Sequence, residues 1–233
     1  MLAVSDEVDE RLLAGDRSRR SRDLDRVDLI VACGDLPFDY LAALMDASDA
    51  PLVFVPGNHD PDLGGYRRSR QGLLLRAGMP VPSPWPDGAT NADGRVVDAA
   101  GLRLAGLGGC LRYSDGPNQY SQRHQTWRAR RLAVAARWRR RRDGRRVDVV
   151  LTHAPPRGLG DGDDGPHRGF DGLHGLVAAL DPLVLLHGHV HPYGRDHPDG
   201  ILGRTVVCNV VGHRLLRLEA GVGMIEERGR HGP

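Results

Sequence analysis

The chain has 233 residues, 40% of them hydrophobic and 27% charged, an ordinary globular balance that fits one domain with a full core. A formal net charge of +2 calls for no polyanionic partner, and no apolar run has the length of a membrane span. Cys33, Cys110 and Cys208 are odd in number and far apart, which excludes a disulfide framework and points, with an N-terminus lacking a signal-peptide layout, to reduced thiols in the cytoplasm. All 32 basic residues are arginine, a compositional bias that accompanies abundant Ala and Gly.

In chain order the apolar runs are LAVS (2–5), VDLIVAC (27–33), PLVFVP (51–56), LRLAGLG (102–108), VDVVLT (147–152), PLVLLH (182–187) and TVVCNVV (205–211). Each has strand length and a Leu or β-branched bias, and most are apolar throughout, as strands covered on both faces are. Helices are predicted over 37–47, opened by a Pro, over the arginine-rich 122–142, and over 170–180, where glycines weaken the pattern. Alternating strands and helices predict an α/β domain; the closing strands lack intervening helices and predict antiparallel pairing. Segments 78–95 and 156–170, rich in Pro, Gly and Asp, are predicted loops. No repeat or linker divides 1–233, so one domain is expected, with a frayed tail over 227–233. The first strand begins at Leu2, which suggests a start upstream of Met1 or a strand edge that is missing.

Polar groups cluster just past these strands. Asp6 follows the first, Gly34-Asp35 the second, Gly57-Asn58-His59-Asp60 the third, His153 the run 147–152, and His187-Gly188-His189-Val190-His191 the run 182–187. Ligands of open α/β sheets bind outside the carboxyl ends of the strands. Carboxylate, amide oxygen and imidazole are ligands of divalent transition metals, and the lack of Cys in the set argues against a structural thiolate zinc site. His189 and His191, two apart on extended chain, point the same way. One ion or two neighbouring ions can accept both.

GDLPFD, VPGNHD, LTHAPP and HGHVH, in that order and each after a strand, resemble the signature of calcineurin-like metallophosphoesterases. The resemblance implies a four-layer α/β/β/α sandwich with two divalent ions, Mn, Fe or Zn. It implies Asp35, Asn58, His153 and His189 around one ion and Asp6, Asp35 and His191 around the other, Asp35 bridging. The family usually opens with Asp-x-His; here Val8 stands where that histidine is expected. Glu7 is expected to point to the opposite face of its strand, leaving Asp9 or the loop DGDDGPH (161–167) to reach the gap. Six of the seven implied ligand positions remain.

The reaction so implied is metal-assisted hydrolysis of a phosphate ester, with a water shared by the two ions and acidified by them attacking phosphorus in line. His59, next to Asn58, is expected to face the substrate as general acid to the leaving oxygen or as a stabiliser of developing charge. Asp60 and Asp39 are expected to orient His59 or its loop, and His167 to be as fit for lining the substrate pocket as for a bland loop role. His187 is expected to pack or to support a ligand; His124, His174, His197, His213 and His231 are expected to be solvated or core residues.

Residues 128–146 carry ten arginines. A nucleic-acid patch is one reading. The favoured one is a solvated helix face, seated on the sheet by Leu132, Val134, Ala135 and Trp138. The expected function is thus a metallophosphoesterase acting on a phosphate-ester small molecule or nucleotide, with a lean towards phosphodiesters and no membrane partner. The alternatives are a fold-retaining binding scaffold that has lost turnover and a nuclease acting on RNA or DNA.

Overall fold

The structure, a computed structural model, describes residues 1–14, 24–192, 198–219 and 223–228. Its strands are, in order, β1 (Leu2–Ser5), β2 (Ile30–Ala32), β3 (Leu52–Phe54), β4 (Tyr66–Arg68), β5 (Leu74–Arg76), β6 (Met79–Pro80), β7 (Thr90–Asn91), β8 (Val96–Ala99) and β9 (Leu102–Leu107). They continue with β10 (Cys110–Leu111), β11 (Gln119–Tyr120), β12 (Val149–Thr152), β13 (Val184–His187), β14 (Gly200–Leu202), β15 (Thr205–Asn209), β16 (Gly212–Glu219) and β17 (Gly223–Arg228). The helices are α1 (Phe38–Ser48), α2 (Gln122–Asp143) and α3 (Gly172–Leu180).

Two six-stranded sheets form the body, ordered β17-β16-β1-β2-β3-β7 and β14-β15-β13-β12-β9-β8. Strand alternation explains how they stack. Leu2, Val4, Ile30, Ala32, Leu52 and Phe54 face one way and pack with Tyr40, Leu41 and Leu44 of α1. Their neighbours Ala3, Val31 and Val53 face the other way, into a core shared with Leu104, Val149, Leu151, Val184 and Leu186 of the second sheet. That sheet turns Ala105, Leu107, Val150 and Leu185 outward against α2 and α3. The outcome is the expected four layers, α/β/β/α, and it explains why these strands are apolar on both faces.

Within the first sheet β1, β2 and β3 run parallel, and within the second β9, β12, β13 and β15 do. The expected antiparallel pairing near the C-terminus appears as β14 on β15 and β16 on both β1 and β17. Segment 78–95 is not wholly loop: β6 closes a small antiparallel sheet with β4 and β5, and β7 adds to β3. Two-residue strands have no periodicity to detect. His197, His231 and the tail from 229 on lie outside the described residues.

Helix α2 seats differently from the sequence expectation. Its buried residues are Gln125, Ala129, Leu132, Ala133 and Ala136, a spacing of 4, 3, 1 and 3 that keeps one face at 3.6 residues per turn. Small alanines let the helix lie close to the sheet and to α3, where Gly172 meets Thr126. Val134, Ala135 and Trp138 are exposed instead. Ser121 caps the start, its Oγ accepting from His124 N, and Gly144 ends the helix in the left-handed region at φ 75°.

Candidate metal centre

The parallel strands of each sheet end on one edge, and the two edges meet. His153, after β12, donates from Nδ1 to the carbonyl of Cys33, at the end of β2, over 2.7 Å. His189, after β13, donates its backbone N–H to Asp6 Oδ2, after β1, over 2.9 Å. Asp6, Asp35 and His189 all lie in the left-handed region, at φ 60°, 57° and 69°. Such conformations cost about 1–3 kcal/mol each and cluster at functional sites.

Asp35 sits at the centre. Its Oδ2 lies 3.2 Å from His153 Nε2 and its Oδ1 accepts from His59 N over 2.7 Å. Asn58 Oδ1 lies 2.9 Å from the same His153 Nε2, while Asn58 Nδ2 donates to Tyr113 Oη over 3.1 Å. The tyrosine therefore fixes which end of the amide faces the cluster. Donor atoms of Asp35, His153 and His189 lie within 4.8 Å of one another. His191 Nε2 is 4.0 Å from Asp6 Oδ1.

Two backbone approaches make this packing possible. A Cβ on Gly57 would stand 2.1 Å from Asp35 Oδ1, and one on Gly188 would stand 2.0 Å from Ser5 Oγ and 2.2 Å from Asp6 Oδ2. Asp60 ties the loops together, its Oδ2 accepting from Asp35 N at 3.0 Å and Gly57 N at 2.7 Å. Asn118 Nδ2 donates to Gly57 O over 2.9 Å and to Asp60 O over 3.2 Å.

Burial would lower the His153 pKa, but the hydrogen bond to Asp35 and the charges of Asp6 and Asp35 outweigh it and raise it to about 9. Burial would raise the Asp35 pKa; the hydrogen bond and charge of His153 hold it below the usual carboxylate range. Asp6 and Asp60 are pushed up by burial. His189 falls to about 4 through burial and then the charge of His153.

The donor set fits divalent cations. Each of the three imidazoles has one nitrogen held by a protein acceptor: His153 Nδ1 by Cys33 O, His189 Nε2 by Pro166 O at 2.9 Å, and His191 Nδ1 by Glu7 Oε1 at 2.9 Å. Metal-binding histidines are held in this way, with the second nitrogen left to the ion. His153 Nε2 lies within 3.2 Å of both Asp35 Oδ2 and Asn58 Oδ1, and imidazole, carboxylate and amide oxygen are donors that suit one divalent cation.

Most of the sequence-predicted residues meet here: Asp6, Asp35, Asn58, His153, His189 and His191, with His59 exposed beside them. Asp60 orients the loop rather than the His59 ring. Asp39 does neither; it is exposed in the first turn of α1, its carboxylate accepting from Tyr40 N, with no hydrogen bond to His59 among the described residues. Glu7 corrects another expectation: it turns towards the cluster and holds His191, because the turn at Asp6 breaks strand alternation. Asp9 instead caps the short helix Glu10–Leu12, pairs with Arg11 and lies 3.0 Å from His213 Nδ1. From the DGDDGPH loop, Pro166 holds His189, and the His167 ring lies 5.3 Å from that of His189, with Asp164 Oδ2 at 2.7 Å from His167 Nδ1. Val8, 46% exposed, contributes no donor.

His187 is buried and lowered to about 4 by burial, with Nδ1 3.0 Å from Gly188 O, and it packs rather than joining the cluster. His124 sits against Tyr120 and Trp127, and His174 Nε2 donates to Arg157 O. Sequence reading missed Ser5, Tyr113, Asn118 and the carbonyls of Cys33 and Pro166. Carbonyls carry no side-chain signal; Asn118, at φ 53° in DGPNQY, is the one whose turn-prone setting marks it.

A four-layer α/β sandwich carrying carboxylate, amide and imidazole donors at converging strand ends defines a metal-site hydrolase architecture. The model of the calcineurin-like phosphoesterase family matches residues 6–193, and the chain belongs to that family, whose chemistry is metal-dependent hydrolysis of phosphoesters. A protein of Haemophilus influenzae, described only as an uncharacterized protein, is 28% identical over 164 residues, 62% of this chain. That match spans 64% of the relative's length. A solved crystal structure shares the fold at TM-score 0.57 and 13% identity, covering 91% of this chain and 92% of its own. TT1561 of Thermus thermophilus does so at TM-score 0.52 and 16% identity, covering 91% and 88%. Among the described residues no helix is long and apolar enough to cross a membrane.

Proposed function

We propose that the protein is a phosphodiesterase with a dinuclear metal centre. Asp35, Asn58, His153 and His189 would hold one ion, and Asp6, Asp35 and His191 the other. The observation that carries this reading is the approach of Asp35, His153 and His189 donor atoms to within 4.8 Å of one another, from three strand ends and two sheets. Divalent ions bound there supply Lewis acidity towards phosphoryl oxygens and lower the pKa of water.

The chain's own groups do the rest. Asp35, with Oδ1 fixed by His59 N and Oδ2 by His153, brings one carboxylate to both donor sets. The exposed His59 ring, whose backbone is tied to Asp35, donates a proton to the leaving oxygen. His167 and Tyr113, next to His189 and Asn58 respectively, border the space for the ester's substituents.

The exposed Val8 favours a second reading, a fold kept for binding with weakened turnover. Assay of a mono- and diester panel with Mn²⁺, Fe²⁺, Zn²⁺ or no metal, alongside metal analysis, separates the two. Diester hydrolysis that depends on added metal supports the phosphodiesterase. Metal binding without turnover of any ester leaves the scaffold.

A further inference from the structure

We infer that the outward face of α2 binds single-stranded nucleic acid. Trp127, Val134 and Trp138 are 52%, 53% and 58% exposed. Their spacing, i, i+7 and i+11, places them on one line down the helix, opposite the buried alanines and Leu132, over about 16 Å at 1.5 Å per residue. Trp127 packs on His124 of its own helix, and neither tryptophan belongs to the buried core beneath α2.

The charge beside them is unspent. Arg128 and Arg139, nearer the sheet, are taken by Asp93 and Asp98. Arg130, Arg131, Arg137 and Arg141 flank the apolar line, are exposed, and form no ion pair among the described residues. The near-neutral total therefore hides a strongly positive strip. A second copy of this face is excluded as its occupant, since arginines would oppose arginines. A bilayer calls for an apolar stripe about 100° wide or more, whereas this line is one side chain wide with arginines on both sides.

Aromatic rings interleaved with guanidinium groups match a chain that alternates flat bases with phosphates. Arg131 lies over the Trp127 ring at 4.6 Å, so Trp138 offers the open stacking surface. A nucleic-acid strand would also be a phosphodiester, the bond class assigned above to the metal centre; this last argument alone rests on that reading.

The test uses the full chain without metal, so that turnover does not enter. Binding of a fluorescein-labelled 20-nucleotide single-stranded DNA is followed by anisotropy from 50 to 300 mM NaCl, and sedimentation with phosphatidylserine vesicles is followed in parallel. Four phosphate contacts predict a log–log salt slope of about −3. Trp138→Ala should weaken binding roughly five- to hundredfold. Arg130→Glu with Arg137→Glu should flatten the slope by about 1.4, and thermal melts of both variants establish that they fold. No binding at 50 mM salt, indifference to these substitutions, or vesicle binding without DNA binding overturns the inference. Absence of ester hydrolysis by the metal-loaded protein would overturn the phosphodiesterase alone.

Discussion

Glu7 and His191, 184 residues apart, meet at 2.9 Å between Oε1 and Nδ1, with His191 Nε2 on the side of Asp6 at 4.0 Å. A carboxylate behind an imidazole fixes its tautomer and raises its basicity, and loss of such a partner costs about 10–100-fold in metal affinity. Glu7→Ala is expected to weaken uptake of the second ion by that factor. Glu7→Gln retains an acceptor and should lose less. Equilibrium dialysis with Mn²⁺ and metal analysis reads both. A protein that still holds two ions with unaltered affinity after Glu7→Ala would refute the support role.

The exposed His59 ring stands beside the cluster while its backbone N–H donates to Asp35. Substitution by Ala leaves that backbone bond intact, so bound metal should be unchanged. Hydrolysis of a phosphodiester with a poor leaving group should fall by about 10²–10⁴, and less with a leaving group that needs no protonation. Equal losses for both substrates would show that the ring does not deliver a proton.

The layers and the cluster were largely legible in the sequence, and for a shared reason. Strands apolar on both faces, each followed by Asp, Asn or His, leave little choice but a covered parallel sheet with polar groups at its edge. What escaped depends on geometry beyond the strand. Glu7 was assigned by strand alternation, yet Asp6 at φ 60° ends that alternation one residue earlier. Of the residues expected to seat α2, Leu132 is buried, but Val134, Ala135 and Trp138 are exposed and Gln125, Ala129, Ala133 and Ala136 take their place; close approach of the helix favours short side chains there. Asp39 was drawn to the site by its place in GDLPFD, but it belongs to the first turn of α1.

Gly57 has Asp35 Oδ1 at 2.1 Å from the place a Cβ would take, and Asp35 N at 2.7 Å. Neither can retreat without breaking the bonds to His59 N and Asp60. Gly57→Ala should therefore displace Asp35 and abolish metal binding, while the apolar layers remain. Calorimetric titration with Mn²⁺ and a thermal melt form the check. A variant that binds metal like the parent would mean that the carboxylate adapts at little cost.

Arg103 is 1% exposed and yet carries a full charge, which Asp98 and Asp143 meet at 2.8 Å and 2.6 Å. The Arg103 hydrogen bonds come first among the causes that hold both carboxyls below the usual range. A carboxyl whose folded pKa is depressed adds stability that is present above the unfolded value of 3.8 and is lost as pH falls through the folded one. Arg103→Met should lower the urea midpoint at pH 7, although the two carboxylates left behind keep water and Asp98 keeps Arg139 and Arg145. The deficit should shrink as pH falls below 3.8, where the unfolded chain's carboxyls take up protons that the folded parent's do not. Urea midpoints for both proteins at pH 7 and pH 2.5 measure it. A deficit of the same size at the two pH values would place the loss in packing instead of charge.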